Sequence, residues 1–406
     1  MSTATVMPED ARIRSCDALN QLAVIRNERT GLMRKMLLAL IALTLAACSG
    51  QSYPSSTLPV ASSAQTRRES PREHHREPAT ISNVYVLEPN EILRFPAGED
   101  TSTPDETKSL SYTAGIGVPV GYGPVYGNAL AVSPANGNVA VIHAGADKVS
   151  VYRSNLGAAL YTITMPNSGH DYAISIAVTY DRYGTLYVAE TWCSGLDCYY
   201  YRGNNAVDEF YGSDTTPDVT WTNVQGWGLA TIVDVSDATA GLYVNECNGC
   251  NYGSNGPYVG GIVKDCSHGS GVTCTSTGIN PIDGYDTEAG RVASQIALEN
   301  GTTLAVQYCS NSGIPCEGSH NRIQEYTNTG ESEIWSLNDT FQVCDAYSDL
   351  NVPSLTADIN GTLYYPCTPE DYPSNSEAGS VVERLSSTSK YTISSLTPPV
   401  IGAGAY

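Results

Sequence analysis

The feature that most constrains this chain is a strand that keeps returning. From residue 84 to the C-terminus, a short apolar strand following a turn recurs at intervals of 55, 47, 56, 62 and 59 residues. Its copies begin at Val84, Val139, Leu186, Leu242, Leu304 and Leu363. From the second copy onward, an apolar strand and a tight turn rich in Asn or Gly precede it, as in Asn136-Gly137 and Asn360-Gly361. Asn and Gly suit such turns because they tolerate positive φ. A third strand follows, as in Lys148 to Tyr152 or Tyr258 to Val263, and then a weaker fourth, as in Val219 to Trp221. One such unit cannot bury both of its faces, whereas a ring of them can. The pattern predicts an all-β fold, a six-bladed β-propeller of four-stranded antiparallel blades over residues 81–406. Residues 278 to 290 are too short for a further blade.

The first unit has no innermost strand before Val84, and the chain ends with a spare segment, Pro398 to Tyr406. That tail is expected to supply the missing strand and close the ring, removing open sheet edges. Gly184-Thr185-Leu186-Tyr187-Val188-Ala189-Glu190 resembles the second strand of NHL-type propeller repeats, and the degenerate likeness extends over residues 84–406. NHL-like lyases and calcium-dependent lactonases use the axial mouth of the propeller, so the resemblance admits an enzyme with a divalent metal there.

The N-terminus reads as an address. Arg34 and Lys35 precede the apolar run Met36 to Ala47, which is too short to span a bilayer comfortably. It ends in Leu45-Ala46-Ala47-Cys48, which resembles the lipobox of bacterial lipoproteins and implies lipidation of Cys48. The expected organisation is an upstream extension (1–32), a lipoprotein signal peptide (33–47), a disordered Ser-, Pro-, Arg- and Glu-rich tether (48–80) and the propeller (81–406). Ser49, rather than Asp, follows the cysteine, which by the sorting rule of such lipoproteins implies the outer membrane of the cell envelope.

Residues 81–406 hold 11 Lys and Arg against 35 Asp and Glu, a net charge of −24. Phosphate contacts need clustered cations, so nucleic acid is excluded as a partner. A monomer is expected. Setting aside Cys16 and Cys48, ten cysteines remain, an even number in an exported chain. Five disulfides are expected: Cys193–Cys198, Cys247–Cys250, Cys266–Cys274, Cys309–Cys316 and Cys344–Cys367. Zinc at Cys247, Cys250, Cys266 and Cys274 is the alternative.

In a four-stranded meander, second-to-third loops and blade links open on one face, and the first-to-second turns lie on the other. Here the long segments 190–205, 246–257, 308–321 and 367–379, with links 114–127, 278–291 and 338–352, share the first face. Four of the five cysteine pairs fall there, and only Cys266–Cys274 lies opposite. This loop face collects His143, His170, His320, Glu190, Glu246, Trp192, Tyr199, Tyr200, Tyr201 and Trp227. Tyr and Trp offer flat contact area with a polar edge, suited to a protein or carbohydrate ligand. Three His with carboxylates could instead hold a divalent metal or perform acid–base work, although no ligand-like His spacing is present. Glu88, His143, Glu190 and Glu246 share one repeat position, which points to structural hydrogen bonding. The expected function is therefore ligand binding by a lipid-anchored propeller, with no catalytic group or cofactor assigned; an exported lactonase- or lyase-type enzyme is the alternative. Asn300, Asn338 and Asn360 begin glycosylation-like sequons that read as turns.

Overall fold

A computed structural model of the chain describes residues 80–115, 128–170, 172–193, 204–224, 228–232, 241–247, 261–268, 272–277, 279, 293–299, 303–309, 321–328, 335–342, 354–367, 378–385 and 389–406. The chain divides into two compact units, Met1–Glu73 and His74–Tyr406, and every described residue belongs to the second. That unit is a β-propeller of four-stranded antiparallel blades.

The first blade holds β1 (Asn83–Glu88), β2 (Glu91–Pro96) and β3 (Glu106–Ser109). A meander of β4 (Leu130–Val132), β5 (Val139–Ile142), β6 (Lys148–Tyr152) and β7 (Ala159–Thr164) follows. Next come β8 (Tyr172–Tyr180), β9 (Leu186–Cys193), β10 (Asn204–Phe210) and β11 (Val219–Thr222). The fourth sheet contains β12 (Gly228–Ile232), β13 (Gly241–Cys247), β14 (Gly261–His268) and β15 (Val272–Ser276). The fifth is β16 (Ala293–Leu298), β17 (Thr303–Cys309), β18 (Asn321–Asn328) and β19 (Trp335–Gln342). The last holds β20 (Thr356–Ala357), β21 (Leu363–Cys367), β22 (Gly379–Arg384) and β23 (Lys390–Leu396).

The tail behaves as its sequence implies. Strand β24 (Gly402–Ala405) joins the first blade as its innermost strand, giving the order β24-β1-β2-β3. It pairs antiparallel with β1, Val84 opposite Ala405 and Leu87 opposite Gly402. Its small residues have a steric reason. A Cβ on Gly402 would come 2.9 Å from Cβ of Leu130, and one on Gly404 would come 3.0 Å from Cγ2 of Val132. Glycine thus lets β24 lie close against β4.

The seam between the last blade and the first is tied further. The Gly98 amide donates to Oε2 of Glu383 at 3.0 Å, and the Thr392 amide donates to Oδ1 of Asp100 at 2.8 Å. The hydrophobic core runs through the seams: Val84, Val86 and Phe95 pack with Tyr364, Val381, Ile393 and Ala403.

First-to-second turns repeat one device. Asp181 Oδ1 accepts the amides of Tyr183 and Thr185 at 2.9 and 2.8 Å, and Asp358 Oδ1 accepts those of Asn360 and Thr362 at 2.8 and 3.0 Å. Gly184 and Gly361 both turn the chain at φ +87°.

Three sequence expectations shift. Strand β14 begins and ends later than residues 258–263, because the pairing that fixes it runs from Cys247 opposite Gly261 to Gly241 opposite Ser267. Residues 338–342, expected to open a blade link, belong to β19. Asn338, expected in a turn, sits at a register shift in that strand, between Leu337 opposite Tyr326 and Asp339 opposite Glu325. A bulge there absorbs the extra residue. Asn360 lies in a turn as expected, and residues 300–302 lie outside the described residues.

Removing residues 397–406 should therefore strip an inner strand and expose two edges. The expected loss is most of a stability margin of about 5–15 kcal/mol, read as a sharply lowered melting temperature. Gly361→Ala would place a Cβ 3.0 Å from the Glu299 carbonyl oxygen at a left-handed φ, whereas Gly212, at φ +67°, has nothing within 4 Å. Denaturant unfolding should show Gly361→Ala costing more than Gly212→Ala, whose cost is the backbone strain of about 1–2 kcal/mol alone.

Candidate functional site

The loop face gathers part of the expected set around β9. Trp192 lies near the end of that strand, partly buried, and the exposed His170 lies in the link from β7 to β8. Their rings stand 6.2 Å apart at an interplanar angle of 31°. Glu190 is fully buried two residues before Trp192, and its Oε1 accepts a hydrogen bond from the side-chain amide of Asn167 in the same link. The Asn167–Glu190 bond thus ties the link carrying His170 to the strand carrying Trp192.

Beneath that pair lies a carboxyl cluster at the seam between the β4–β7 and β8–β11 blades. Strand register builds it. Ser175 of β8 stands opposite Glu190 of β9. Glu190 stands opposite Ala206 of β10, which puts Asp208, two residues on, on the same face. Thr220 of β11 stands opposite Asp208 and donates to its Oδ1. Asp147, just before β6, brings the neighbouring blade in, because Ser175 Oγ donates to its Oδ1 at 2.9 Å.

Relative exposures are 4% for Asp147 and 0% for Glu190 and Asp208. Asp147 Oδ2, Glu190 Oε2 and Asp208 Oδ2 are all buried without a hydrogen-bond donor. Burial, followed by the charge of Asp147, pushes Glu190 up to about 9. Burial also raises Asp147 and Asp208, while hydrogen bonding from Glu190 draws each back down. Three carboxylates cannot all ionise in so dry a place, so the cluster as a whole retains a proton.

His143 takes no part in this group. Its ring stacks on Tyr112 with centroids 3.4 Å apart, and its Nε2 lies 2.8 Å from Ser150 Oγ. Burial, then the charge of Lys148, lowers it to about 4. At the repeat position it shares, Glu88 accepts the Thr397 amide at 2.7 Å and Glu190 accepts Asn167. At both positions the acid is tied to the surrounding chain.

Tyr199, Tyr200, Tyr201, Trp227 and His320 lie outside the described residues, as do the side chain of Glu246 and the lipidation residue Cys48. Among the described residues, no group of three His, Cys, Asp or Glu is arranged to hold a metal ion. Cys266 and Cys274 are disulfide-bonded, S–S 2.05 Å, directly across β14 and β15. That pairing removes two of the four sulfurs from the zinc alternative. Cys367 is also disulfide-bonded, while Cys198, Cys250, Cys316 and Cys344, and the side chains of Cys193, Cys247 and Cys309, lie outside the described residues.

Sequence reading missed Asp147, Asn167, Ser175 and Asp208. The available signal was the acid pair Asp208-Glu209 in a strand otherwise apolar at Ala206, Val207 and Phe210, where an acid on a buried strand needs a partner.

No protein-family model matches the chain, and no curated protein matches it. Solved structures similar to it include a protein of unknown function from Bacteroides caccae, at 11% identity and TM-score 0.45, covering 80% of this chain and 99% of that one. A 6-phosphogluconolactonase-like protein from Bacteroides fragilis shares 14% identity at TM-score 0.42, covering 81% and 100%. The hydrazine synthase of Kuenenia stuttgartiensis shares 10% at TM-score 0.41, covering 75% and 93%. Likenesses this distant carry no inference about activity.

The buried acids set a pH dependence. Burial, then neighbouring acids, raises Glu383 to about 7 and Glu299 to about 8, alongside Glu190 at about 9, all from an ordinary 4.5. Each holds a proton that the unfolded chain releases above 4.5. Their stabilisation is therefore greatest below 4.5 and is lost as pH rises through the folded values. His143 has the opposite sign: its contribution is present above 6.5 and is lost as pH falls toward 4. Thermal melts between about pH 6.5 and 9 should show the melting temperature falling steadily as pH rises.

Proposed function

We propose that this chain is a lipid-anchored bacterial envelope protein whose propeller, a closed ring of six blades, binds a protein or glycan through its loop face. Ring closure is supported by the innermost strands, which touch in cyclic order β4, β8, β12, β16, β20, β24 and back to β4. The observation that carries the binding reading is the His170–Trp192 pair at the edge of β9. An indole beside an imidazole offers a flat apolar surface with polar edges, and the half-buried Asn167–Glu190 contact limits the motion of the link beneath it. Fixing a contact surface before binding lowers the ordering cost of association. Disulfides across the loop face would act in the same sense.

The enzyme alternative needs polar ligands at the axial mouth. On the inner side of the ring, the buried Asn128, just before β4, accepts at its Oδ1 a hydrogen bond from Ser354 Oγ at 2.6 Å, just before β20. Both groups are neutral and matched to each other, which favours a structural plug at that point over a charged metal centre.

Trp192→Ala and His170→Ala should each weaken binding in a screen against glycans and envelope proteins about tenfold, while the melting temperature stays within a few degrees of the parent. Unchanged binding in both variants would remove the aromatic pair from the contact surface. In the bacterium, Cys48→Ser should move the protein from the membrane to the soluble fraction; continued membrane association would overturn the anchor.

A further inference from the structure

We propose that a proton held on Glu190 latches the β4–β7 blade to the β8–β11 blade, and that losing it frees the link carrying His170 from Trp192. This rests on the binding reading above, because the device would control whether the aromatic pair of the loop face is assembled.

The geometry leaves few ways to satisfy the seam. Asp147 reaches in from the β5–β6 connection, Glu190 from β9 and Asp208 from β10, and each has one buried oxygen with no donor. Apart from Glu190 itself, the donors that reach them serve the other oxygen of each acid: Ser175 for Asp147, Asn167 for Glu190 and Thr220 for Asp208. An orphaned buried acceptor is costly, and facing carboxylates repel in a medium of low polarity. One proton on Glu190 answers both problems. It removes a charge and supplies a donor to Asp147 or Asp208, both within hydrogen-bonding reach of Glu190. The arrangement follows the logic of acid pairs that share a proton because they cannot both ionise.

The latch spans two blades. Asp147 belongs to one blade, and Ser175, Glu190 and Asp208 belong to the next. Asn167 lies in the link that joins them, three residues before His170. The groups facing Glu190 are Asp147, Asn167, Ser175 and Asp208, and the charged ones are both acids. Ionising Glu190 would set three negative charges in a fully buried seam. The seam must then admit water, and its solvent-exposed side is the link from β7 to β8. Raised pH therefore separates His170 from Trp192, and the protonated state holds them together. The position of Glu190, at about 9, places the change on the alkaline side of neutrality.

The test uses the full-length protein with Glu190→Gln, Asp208→Asn and Trp192→Phe variants, and its spectroscopic readouts involve no binding partner. Infrared spectra at neutral pH should contain a protonated carboxylic acid band that is diminished in Glu190→Gln. Tryptophan fluorescence should show a reversible transition near pH 9, lost in both Glu190→Gln and Trp192→Phe. Asp208→Asn removes one of the facing charges and should move the midpoint down by about one pH unit. Absence of a Glu190-dependent infrared band, or a fluorescence transition unchanged in Glu190→Gln, would overturn the latch. So would calcium raising the melting temperature of the parent but not of Glu190→Gln, since the three oxygens would then serve a cation. Should Glu190→Gln fail to fold, an unshifted midpoint in Asp208→Asn overturns it equally. A failed ligand screen with an intact fluorescence transition would remove the binding reading and leave the latch in place.

Discussion

The pairing of β24 with β1 is the contact on which the rest of the structure depends. A row of sheets packed side by side has two open ends, and here the chain's last strand completes its first sheet. Val84 and Val86 of β1, Ala403 and Ala405 of β24 and Tyr364 of β21 then share one apolar cluster. The Thr356 hydroxyl donates to the Ala403 carbonyl at 2.7 Å, so the inner edge of the last blade is tied to the same strand. This closure joins residues more than three hundred positions apart, and the entropy of that loop must be met by local packing and hydrogen bonds. Gly402 and Gly404 make the packing close enough.

Closure also determines where charge can be buried. Among the described residues, the seams are filled largely by apolar side chains. At the β4–β7 and β8–β11 seam, the lower part is filled by Val149, Val178, Leu186 and Phe210, and the upper part by acids. Burial in that seam raises Glu190, and the hydroxyl and amide groups around it are positioned by strand register. At the seam between β22 and the first blade, Glu383 is buried in a similar way and accepts the Gly98 amide. Here electrostatics is a property of the seam rather than of the strand: an acid that would be ordinary on an open sheet becomes a proton store when a second sheet covers it.

Under the proposed binding reading, the seam also links fold to function. Asn167 and His170 belong to the short link between two blades, and Glu190 and Trp192 to the strand it crosses. A hydrogen bond at the buried end and an aromatic contact at the exposed end position the same few residues. In the proposed latch, a change at either end is felt at the other.

Much of the architecture was legible in the sequence because it is periodic. The strand after each turn, the Asn and Gly at turn positions and the alternation within strands follow from local geometry, which residue order encodes directly. The spare strand at the C-terminus was legible for the same reason, since the first unit lacks one. Bulges were not, and Asn338 shows why: whether it turns the chain or is absorbed into β19 depends on how β18 lies beside it. The candidate site divides in the same way. His170, Trp192 and Glu190 were visible as chemistry on the loop side, but their grouping, and the exclusion of His143 from it, came from packing. Asp147 and Asp208 stand 61 residues apart and on different blades. The sequence by itself determined which residues line each strand; only the ring decided which strands face one another across a seam, because burial and electrostatic coupling act through space and not along the chain.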